Sequence, residues 1–328
     1  MFKLTWKHLG MALVLALVLI VSACGSDEEN EPANNANNTE ENGGNDTSAN
    51  NNAGNTGDDA AATYGEEMDY VITGIEPGAG VVKAAEQATQ DYENLAGWSV
   101  QTSSSGTMAT LLTEAIENEE PIIVTGWTPH WKFAKYDLHY LEDPQGAFGE
   151  AEQINTMVRQ GLEEEEPEAY QILDQFNWTA ADMESVMLEI TNGASEEEAA
   201  RNWIEANSDK IAEWLDGVDK VDGNEIELVY VLWDSEIAST NVIAEVMRDH
   251  GFEVDIKSVE NAAMWEAVAQ GGADGMVAAW LPGTHGDLYE QFKDELVDLG
   301  PNLEGAKIGL VAPDYMEIDS IEDLQPAE

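Results

Sequence analysis

The sequence has a single cysteine, Cys24, in 328 residues, and this excludes an intramolecular disulfide or a site built from several thiolates. It has five histidines, and no two of them have the spacing that zinc sites use. It also lacks a Gly-x-Ser-x-Gly nucleophile elbow and a His-Glu-x-x-His motif. These absences argue against an enzyme, and we expect no catalytic residues, no metal and no cofactor.

Basic residues are scarce as well. Lysine and arginine together number 13 against 66 aspartates and glutamates, so the formal net charge is −53. Such a charge excludes nucleic acid as a partner. It is typical of a surface adapted to a saline exterior, where salt screens the repulsion between like charges. A surface that is acidic merely for solubility is the alternative.

The N-terminus predicts a targeting segment. A basic start precedes an apolar run from Leu9 to Val21, which is shorter than the ~20 residues that a membrane-spanning helix needs. The following Val21-Ser22-Ala23-Cys24 resembles a bacterial lipobox, in which the signal is removed and the new N-terminal cysteine carries lipid. We therefore expect a signal peptide over 1–23 and a lipid on Cys24 that anchors the protein to the extracytoplasmic face of the cell membrane. An ordinary signal peptide with a chance cysteine is the alternative.

Large apolar residues are absent from residues 25–62, which contain no Leu, Ile, Val, Met or aromatic residue but eleven asparagines. Burial there cannot offset the entropy of ordering, so 24–62 is predicted to be a lipidated cysteine followed by a disordered tether. The folded part then spans about 63–328, enough for two lobes.

Two Trp-x-Pro motifs are the most informative feature of the folded part. They lie in Gly126-Trp127-Thr128-Pro129-His130-Trp131 and Ala279-Trp280-Leu281-Pro282-Gly283-Thr284-His285, and each follows an apolar, strand-like run. A tryptophan at the end of a buried strand that proline terminates is expected at the rim of a sheet. Two such rims predict two lobes that offer indoles to a shared cleft, and indole faces bind quaternary ammonium groups.

Strand-like and helix-like segments alternate in two similar halves, which predicts an α/β protein with parallel sheets. The predicted strands are 70–75, 98–101, 121–125, 225–232, 252–257, 275–279 and 307–313, and the predicted helices are 81–92, 107–118, 237–250 and 261–270. Between the halves, 150–216 has helical periodicity without strand signals. We assign 63–145 plus 312–328 to lobe I and 146–311, with this helical block, to lobe II, and expect a hinge near 141–150 and 307–314.

The sequence also resembles a known family over essentially all of residues 66–328. Its segments GIEPGAG (74–80), TGWTPHW (125–131), WDSEIASTNVI (233–243) and AWLPGTH (279–285), in this order and behind a lipobox, are similar to those of the glycine betaine-binding lipoproteins of ABC importers. The resemblance implies a two-lobed fold of the periplasmic-binding-protein type II class, with a hinge and a ligand cleft. It further implies a monomeric solute receptor for osmoprotection, whose closure on the ligand is read by an ABC permease in the membrane.

The resemblance also implies a set of ligand-binding residues. Three tryptophans would form a box around the trimethylammonium head, and two backbone N–H groups with one histidine would bind the carboxylate: Trp127, Trp233 and Trp280, with Gly80, Val81 and His285. The local sequence is compatible, because residues 80 and 81 begin a predicted helix, whose N-terminus favours an anion.

Alternatives to these roles remain. Trp127 and Trp280 could be rim packing, Trp233 a core residue, and His285 a loop histidine bonded to backbone. His130 and Trp131 are expected to support their loop, and Asp234 and Ser235 could cap the helix that follows. Glycine betaine is the leading ligand, with proline betaine expected to fit; choline, carnitine or another quaternary ammonium compound is the alternative.

Overall fold

Nine β-strands form the framework of the computed structural model, which describes residues 64–327. In chain order the strands of this region are β1 (Val71–Thr73), β2 (Ser99–Gln101), β3 (Val124–Thr128), β4 (Leu138–Tyr140), β5 (Glu152–Arg159), β6 (Glu225–Tyr230), β7 (Glu253–Ser258), β8 (Gly275–Leu281) and β9 (Leu296–Pro313).

Helices connect most of these strands. In chain order they are α1 (Gly80–Asp91), α2 (Ser105–Asn118), α3 (Trp131–Lys135), α4 (Leu162–Glu165), α5 (Pro167–Gln175), α6 (Ala180–Thr191), α7 (Glu196–Ala206), α8 (Ser208–Trp214), α9 (Asp234–Asp249), α10 (Asn261–Ala269) and α11 (Gly286–Phe292), with short 3-10 helices at Glu93–Leu95 and Ile321–Asp323.

Side-chain caps determine where several helices begin. The Ser104 hydroxyl accepts a hydrogen bond from the Thr107 N–H at the start of α2, and Thr179 forms a capping box with Asp182 at the start of α6. Ser195 accepts from the Glu198 N–H at the start of α7. Each cap satisfies an N–H group that has no partner within its own helix.

The strands form two similar groups. In the first, β1 lies between β2 and β3 and is parallel to both, and β9 pairs antiparallel with β3 and β4. In the second, β6 lies between β7 and β8 and is parallel to both, and β5 pairs antiparallel with β8 and β9. We call β1–β4 with α1–α3 the N-terminal lobe, and β5–β8 with α4–α11 the C-terminal lobe.

The long strand β9 belongs to both lobes. Residues 296–306 pair with β5 in the C-terminal lobe, and residues 307–311 pair with β3 in the N-terminal lobe. The predicted two-lobed α/β architecture is confirmed. The exact lobe boundaries and the hinge positions stay predictions.

Two features of the sheet correct the sequence analysis. The block 150–216 is not purely helical, because it begins with β5, and β9 begins eleven residues before the predicted strand at 307. Both strands contain polar residues, and their pairing with each other has register shifts. These irregularities obscure the alternation of apolar and polar residues by which a strand is predicted from sequence. Their antiparallel pairing also makes the sheet mixed rather than purely parallel.

The helices of the block up to residue 216 pack around a cluster of aromatic side chains. Trp178, Trp203 and Trp214 are buried, and Trp203 stacks on Trp214 with ring centroids 5.7 Å apart. Phe176 contacts Trp214 edge to face at 4.9 Å. These tryptophans are core residues. The glutamates at 163–165 are exposed on α4.

The described residues belong to one compact unit, and the predicted signal peptide, Cys24 and tether lie outside residues 64–327. No helix within 64–327 is long and apolar enough to cross a membrane.

Candidate functional site

The two Trp-x-Pro motifs occupy equivalent places in the two lobes. Trp127 is the fourth residue of β3 and Trp280 the sixth of β8, and the peptide bond before each proline is cis. Each tryptophan therefore lies within its strand, whereas the strands predicted from the sequence, 121–125 and 275–279, ended before it. The strands extend further because Trp127 pairs with β9 and Trp280 pairs with β5. Both side chains nonetheless lie near the C-terminal end of their strand, and that end of the strand faces the other lobe.

Trp233 reaches the same region from the turn between β6 and α9. It is the N-cap residue of α9, so Asp234 and Ser235 lie in the first helical turn. The prediction that these two residues cap the helix is wrong. No side chain caps α9, and the Trp233 carbonyl accepts the first bond from Ile237 at 2.8 Å. Asp234 and Ser235 are thereby free to make other contacts.

A small cavity lies between the lobes where these tryptophans meet. Its walls combine three indoles, several aliphatic side chains and the first residues of α1: Ile75, Ala79, Gly80, Val81, Trp127, Trp233, Ser235, Trp280, Thr284 and Ile308. Five of the six predicted ligand residues are among them. A concave, mainly apolar cavity with a few polar groups has the form of a small-molecule site.

The N-terminus of α1 forms one end of this cavity. No side chain caps the helix, and no acidic residue lies in its first turn. The N–H groups of Gly80 and Val81 are the first of the helix, where N–H groups have no acceptor within the helix. The macrodipole adds partial positive charge here, so this end of the cavity suits an anion.

The two lobes approach closely at Gly80. A β-carbon at this position would overlap the carbonyl oxygen and the methyl group of Thr284, which follows β8 in the other lobe. Glu152 fixes this loop, because its carboxylate accepts from the N–H groups of Gly283 at 2.6 Å and Thr284 at 2.7 Å, and from the Thr284 hydroxyl. The absence of a side chain on Gly80 is therefore required for the lobes to meet as they do.

His285, the sixth predicted residue, is adjacent to the cavity but is not among its lining residues. Its ring stacks on Trp233 with centroids 6.1 Å apart, and its Nδ1 accepts from the Trp280 backbone N–H at 3.1 Å. The neutral ring therefore carries its proton on Nε2, which is buried without a well-formed hydrogen bond among residues 64–327. Burial and the nearby charge of Lys83 lower the pKa of His285 to about 3, so the ring is neutral at physiological pH.

Carboxylates hold the indole N–H groups of two of the three tryptophans. Trp233 Nε1 donates to Glu76 Oε2 at 2.9 Å across the two lobes, and Trp280 Nε1 donates to Glu236 Oε1 at 2.7 Å. Glu236 is only 1% exposed, and its second oxygen accepts from the Ser235 hydroxyl at 2.6 Å. Burial raises the pKa of Glu236 to about 7, although the bonds from Ser235 and Trp280 oppose that shift.

Trp127 has a different environment. The Nζ atom of Lys132 lies 4.3 Å from the centroid of its ring, and this amine is buried without a hydrogen-bond partner among the described residues. Burial lowers the pKa of Lys132 to about 7. His130 packs edge to face on Trp127 at 4.5 Å and accepts the Lys132 N–H through Nδ1. It thus supports the loop, as predicted for His130.

Asp234 connects the lobes at the start of α9. Its carboxylate accepts from Trp131 Nε1 at 2.8 Å and from the Ser105 hydroxyl at 3.1 Å, and both donors belong to the N-terminal lobe. His130 Nε2 lies 3.5 Å from the same carboxylate. Burial alone would raise the pKa of Asp234, but the contacts with His130, Trp131 and Ser105 outweigh it and hold the pKa well below its usual range.

Sequence reasoning missed the charged residues behind the cavity walls, above all Glu76, Glu236 and Lys132. Glu76 and Glu236 lie inside the segments 74–80 and 233–243 that carry the family resemblance, and Lys132 directly follows 125–131. Their roles depend on partners in distant segments, which local sequence patterns do not identify. No cluster of three or more potential metal ligands occurs among residues 64–327.

Comparison with known proteins identifies the family. The model for the substrate-binding domain of ABC-type glycine betaine transport systems matches residues 22–206 and 224–328. The glycine betaine/carnitine transport binding protein GbuC of Listeria monocytogenes is 53% identical over 272 residues, which are 82% of this chain and 91% of that relative.

Solved structures give partial matches. The closed, liganded structure of lactococcal OpuAC with glycine betaine is 54% identical, and the match covers 44% of this chain and 57% of that chain with a TM-score of 0.44. An ABC-transporter choline-binding protein in complex with choline is 29% identical over 49% of this chain and 57% of that one, with a TM-score of 0.41.

The family model covers most of the sequence, and GbuC is related over most of its own length. The family match confirms the prediction of a transport binding protein rather than an enzyme. The chain belongs to the family of substrate-binding domains of ABC-type glycine betaine transport systems.

Proposed function

We propose that this protein is the receptor that binds glycine betaine, and also proline betaine, and delivers it to an ABC permease for osmoprotection. The observation that carries the proposal is the cavity between the lobes, where three indoles and the N-terminus of α1 face one small volume. This arrangement offers an aromatic wall to a cation and an N–H pair to an anion, as a betaine requires.

The cationic head would lie between Trp127, Trp233 and Trp280. A trimethylammonium group has no N–H to donate, so its recognition depends on dispersion and on the quadrupoles of aromatic rings. Each indole contributes roughly 0.5 to 2 kcal/mol to such a contact. The three side chains are buried, and two are fixed by hydrogen bonds to carboxylates, so little rotamer entropy is lost on binding.

The carboxylate would accept from the N–H groups of Gly80 and Val81 and from Nε2 of His285. The helix start supplies the first two donors, and the Trp280 N–H bond to Nδ1 of His285 directs that ring's proton to Nε2. Because the pKa of His285 is about 3, it donates as a neutral group, and this part of the site does not depend on pH near neutrality.

Choline, carnitine and other quaternary ammonium compounds are the alternative ligands. Choline would satisfy the indoles but leave the anion donors unmatched, and each unpaired buried donor costs about 1 to 3 kcal/mol. The relative GbuC is a glycine betaine/carnitine binding protein, and carnitine keeps both a quaternary nitrogen and a carboxylate. Carnitine is therefore the second candidate ligand.

Calorimetric titration of the purified full-length protein in mild detergent and molar salt tests the proposal. We expect saturable one-to-one binding of glycine betaine and little binding of choline. Stronger binding of choline would contradict the carboxylate assignment, and no binding of any of these ligands by folded protein would contradict the proposed function.

Trp280→Ala tests the tryptophan box within the same experiment. We expect betaine affinity to fall at least about tenfold, and Trp280→Phe to lose less, because a phenyl ring keeps a weaker quadrupole. Circular dichroism of both variants checks that the fold is intact. Unchanged affinity in the alanine variant would remove Trp280 from the site.

The location of the protein is part of the proposal. As an extracytoplasmic substrate-binding protein, it would act as a monomer held to the cell membrane by lipid on Cys24, close to its permease. Cell fractionation tests this: the wild-type protein should sediment with the membranes, and Cys24→Ser should not acquire lipid. Recovery of the wild type in the soluble fraction would contradict the anchor.

A further inference from the structure

Glu236 is the most deeply buried carboxylate next to the cavity, and binding of a betaine by the lining residues does not require it. It is 1% exposed, and its two oxygens accept from Trp280 Nε1 at 2.7 Å and from the Ser235 hydroxyl at 2.6 Å. Both donor residues line the cavity, whereas Glu236 does not. The carboxylate thus lies one side chain behind the wall.

Glu236 lies near the N-terminus of its helix, where a buried carboxylate changes the electrostatic potential next to the cavity. It is the third residue of α9, a helix of 16 residues whose N-cap is Trp233. The N-terminus of such a helix carries partial positive charge, which would oppose the binding of a cation close to it. Carboxylates in the first turn reverse the sign of the potential there, and α9 has two, Asp234 and Glu236, of which Glu236 holds the wall residue Trp280. An apolar residue of similar size would fill the same space without this effect.

The hydrogen bond to Trp280 joins this charge to the wall of the cavity. An indole whose N–H donates to a carboxylate is held in one orientation and is polarised toward greater electron density on the ring. Both effects favour a cation on the ring face, because the attraction comes from the negative potential of that face. Trp127 has no such acceptor among the described residues, so the three walls are not equivalent.

We propose that Glu236 is a positioning residue that fixes Trp280 in the wall of the cavity and supplies the negative charge by which the site prefers a quaternary ammonium cation. The proposal rests on the proposed function, since it concerns the cationic half of the same ligand. It predicts that Glu236 acts through its charge as well as through its hydrogen bond.

Other titratable groups face this region and must be held constant in a test. Asp234 lies on the same helix, His130 and Lys132 come from the N-terminal lobe, and His285 follows β8. At pH 8.5 Asp234 is ionised and both histidines are neutral, while Lys132 is largely neutral because its pKa is about 7. Glu236, with a pKa of about 7, is ionised at this pH.

Two substitutions separate charge from geometry. Glu236→Gln keeps an oxygen that accepts from Trp280 and removes the charge, whereas Glu236→Asp keeps the charge and shortens the side chain away from the indole. We expect the affinity for glycine betaine at pH 8.5 to fall about tenfold in the glutamine variant, the change expected for one buried charge acting over several ångströms. The aspartate variant should bind better than the glutamine variant.

The uncharged isostere 3,3-dimethylbutanoate provides the second measurement. It has the shape and carboxylate of glycine betaine but a carbon in place of the quaternary nitrogen. Its affinity, measured by displacement titration with the full-length protein, should change less than twofold in Glu236→Gln. An equal loss for both ligands would show that Glu236 acts through geometry alone and would overturn the role of its charge.

The outcomes distinguish this inference from the proposed function. Wild-type protein that fails to bind glycine betaine would contradict the proposed function itself. Wild-type protein that binds, with a folded Glu236→Gln variant that binds equally well, would overturn the inference and leave the receptor assignment in place. Thermal melting of the ligand-free variants confirms that each is folded.

Discussion

At the scale of single residues, Lys132 is the group whose placement is hardest to explain by stability. A buried amine without a hydrogen-bond partner among residues 64–327 destabilises the fold whenever it is protonated. It lies on one face of Trp127, which is a wall of the cavity. A cation on one face of an indole weakens the attraction of the same ring for a second cation. Lys132 should therefore lower the affinity for a betaine.

Lys132→Met tests this effect through its pH dependence. Because the pKa of Lys132 is about 7, its charge is present at pH 6 and is lost as the pH rises to 8.5. We expect the methionine variant to bind glycine betaine about threefold to tenfold more tightly than wild type at pH 6, and about equally at pH 8.5. Titration calorimetry at the two pH values measures the ratio.

The matched control is Lys135→Met in the same helix. Lys135 is exposed, and its amine lies 5.4 Å from the ring centroid of Trp131 rather than over a cavity wall. Its replacement should leave the affinity unchanged at both pH values. A Lys132→Met variant that binds more weakly than wild type at pH 6 would mean that the lysine assists the ligand.

At the scale of secondary-structure elements, the start of α9 connects the lobes. Asp234, in its first turn, accepts hydrogen bonds from Ser105 at the start of α2 and from Trp131 at the start of α3. These bonds exist only when the lobes are together. If the lobes close on a ligand as proposed, these bonds would stabilise the closed form and raise the ligand affinity without touching the ligand.

Asp234→Ala should weaken betaine binding by about tenfold to 150-fold, because hydrogen bonds to a charged group are worth about 1.5 to 3 kcal/mol. The loss should appear mainly as faster dissociation, which stopped-flow tryptophan fluorescence measures. Asp249→Ala, at the exposed end of the same helix, removes the same charge and should have no effect. Equal dissociation rates in wild type and Asp234→Ala would contradict the closing role.

Much of the element order was predictable because the elements have strong local signals. Apolar runs such as 275–279 and helical periodicity such as 237–250 need no knowledge of distant partners. The strand β5 gave no such signal, because Asn155 and Thr156 are polar yet buried, with Asn155 donating to Asp298 and Thr156 accepting from Asn302. Its stability depends on pairing with β8 and β9, which sequence spacing does not reveal.

The residues of the candidate site also differ in how well the sequence predicts them. Trp127 and Trp280 could be predicted from their motifs, and the structure brings them together with Trp233. Glu236 and Lys132 act from behind the walls, through a hydrogen bond and a ring contact that form only in the folded chain. The roles of such residues depend on where the fold places them, so residue type and local sequence do not predict them.

At the scale of the whole molecule, the net charge of −53 is the dominant property. Like charges repel across distances of about 10 Å at 0.1 M salt, but of only about 3 Å at 1 M. Several of the basic residues are already engaged, for example Arg159 with Asp274 and Glu165, and Arg201 with Glu245. Most of the acidic surface therefore has no basic partner, and its repulsion depends on the salt concentration.

The full-length protein should therefore melt at a higher temperature in molar sodium chloride than in dilute buffer. Screening predicts that most of the increase occurs as the Debye length falls from about 10 Å to about 3 Å, and that the gain then levels off. Sucrose at equal osmolality serves as the control, since it stabilises by exclusion from the surface without screening charge. A flat melting temperature in salt would contradict adaptation to a saline exterior and favour an acidic surface that serves solubility alone. An equal rise in sucrose would assign the effect to exclusion rather than to charge.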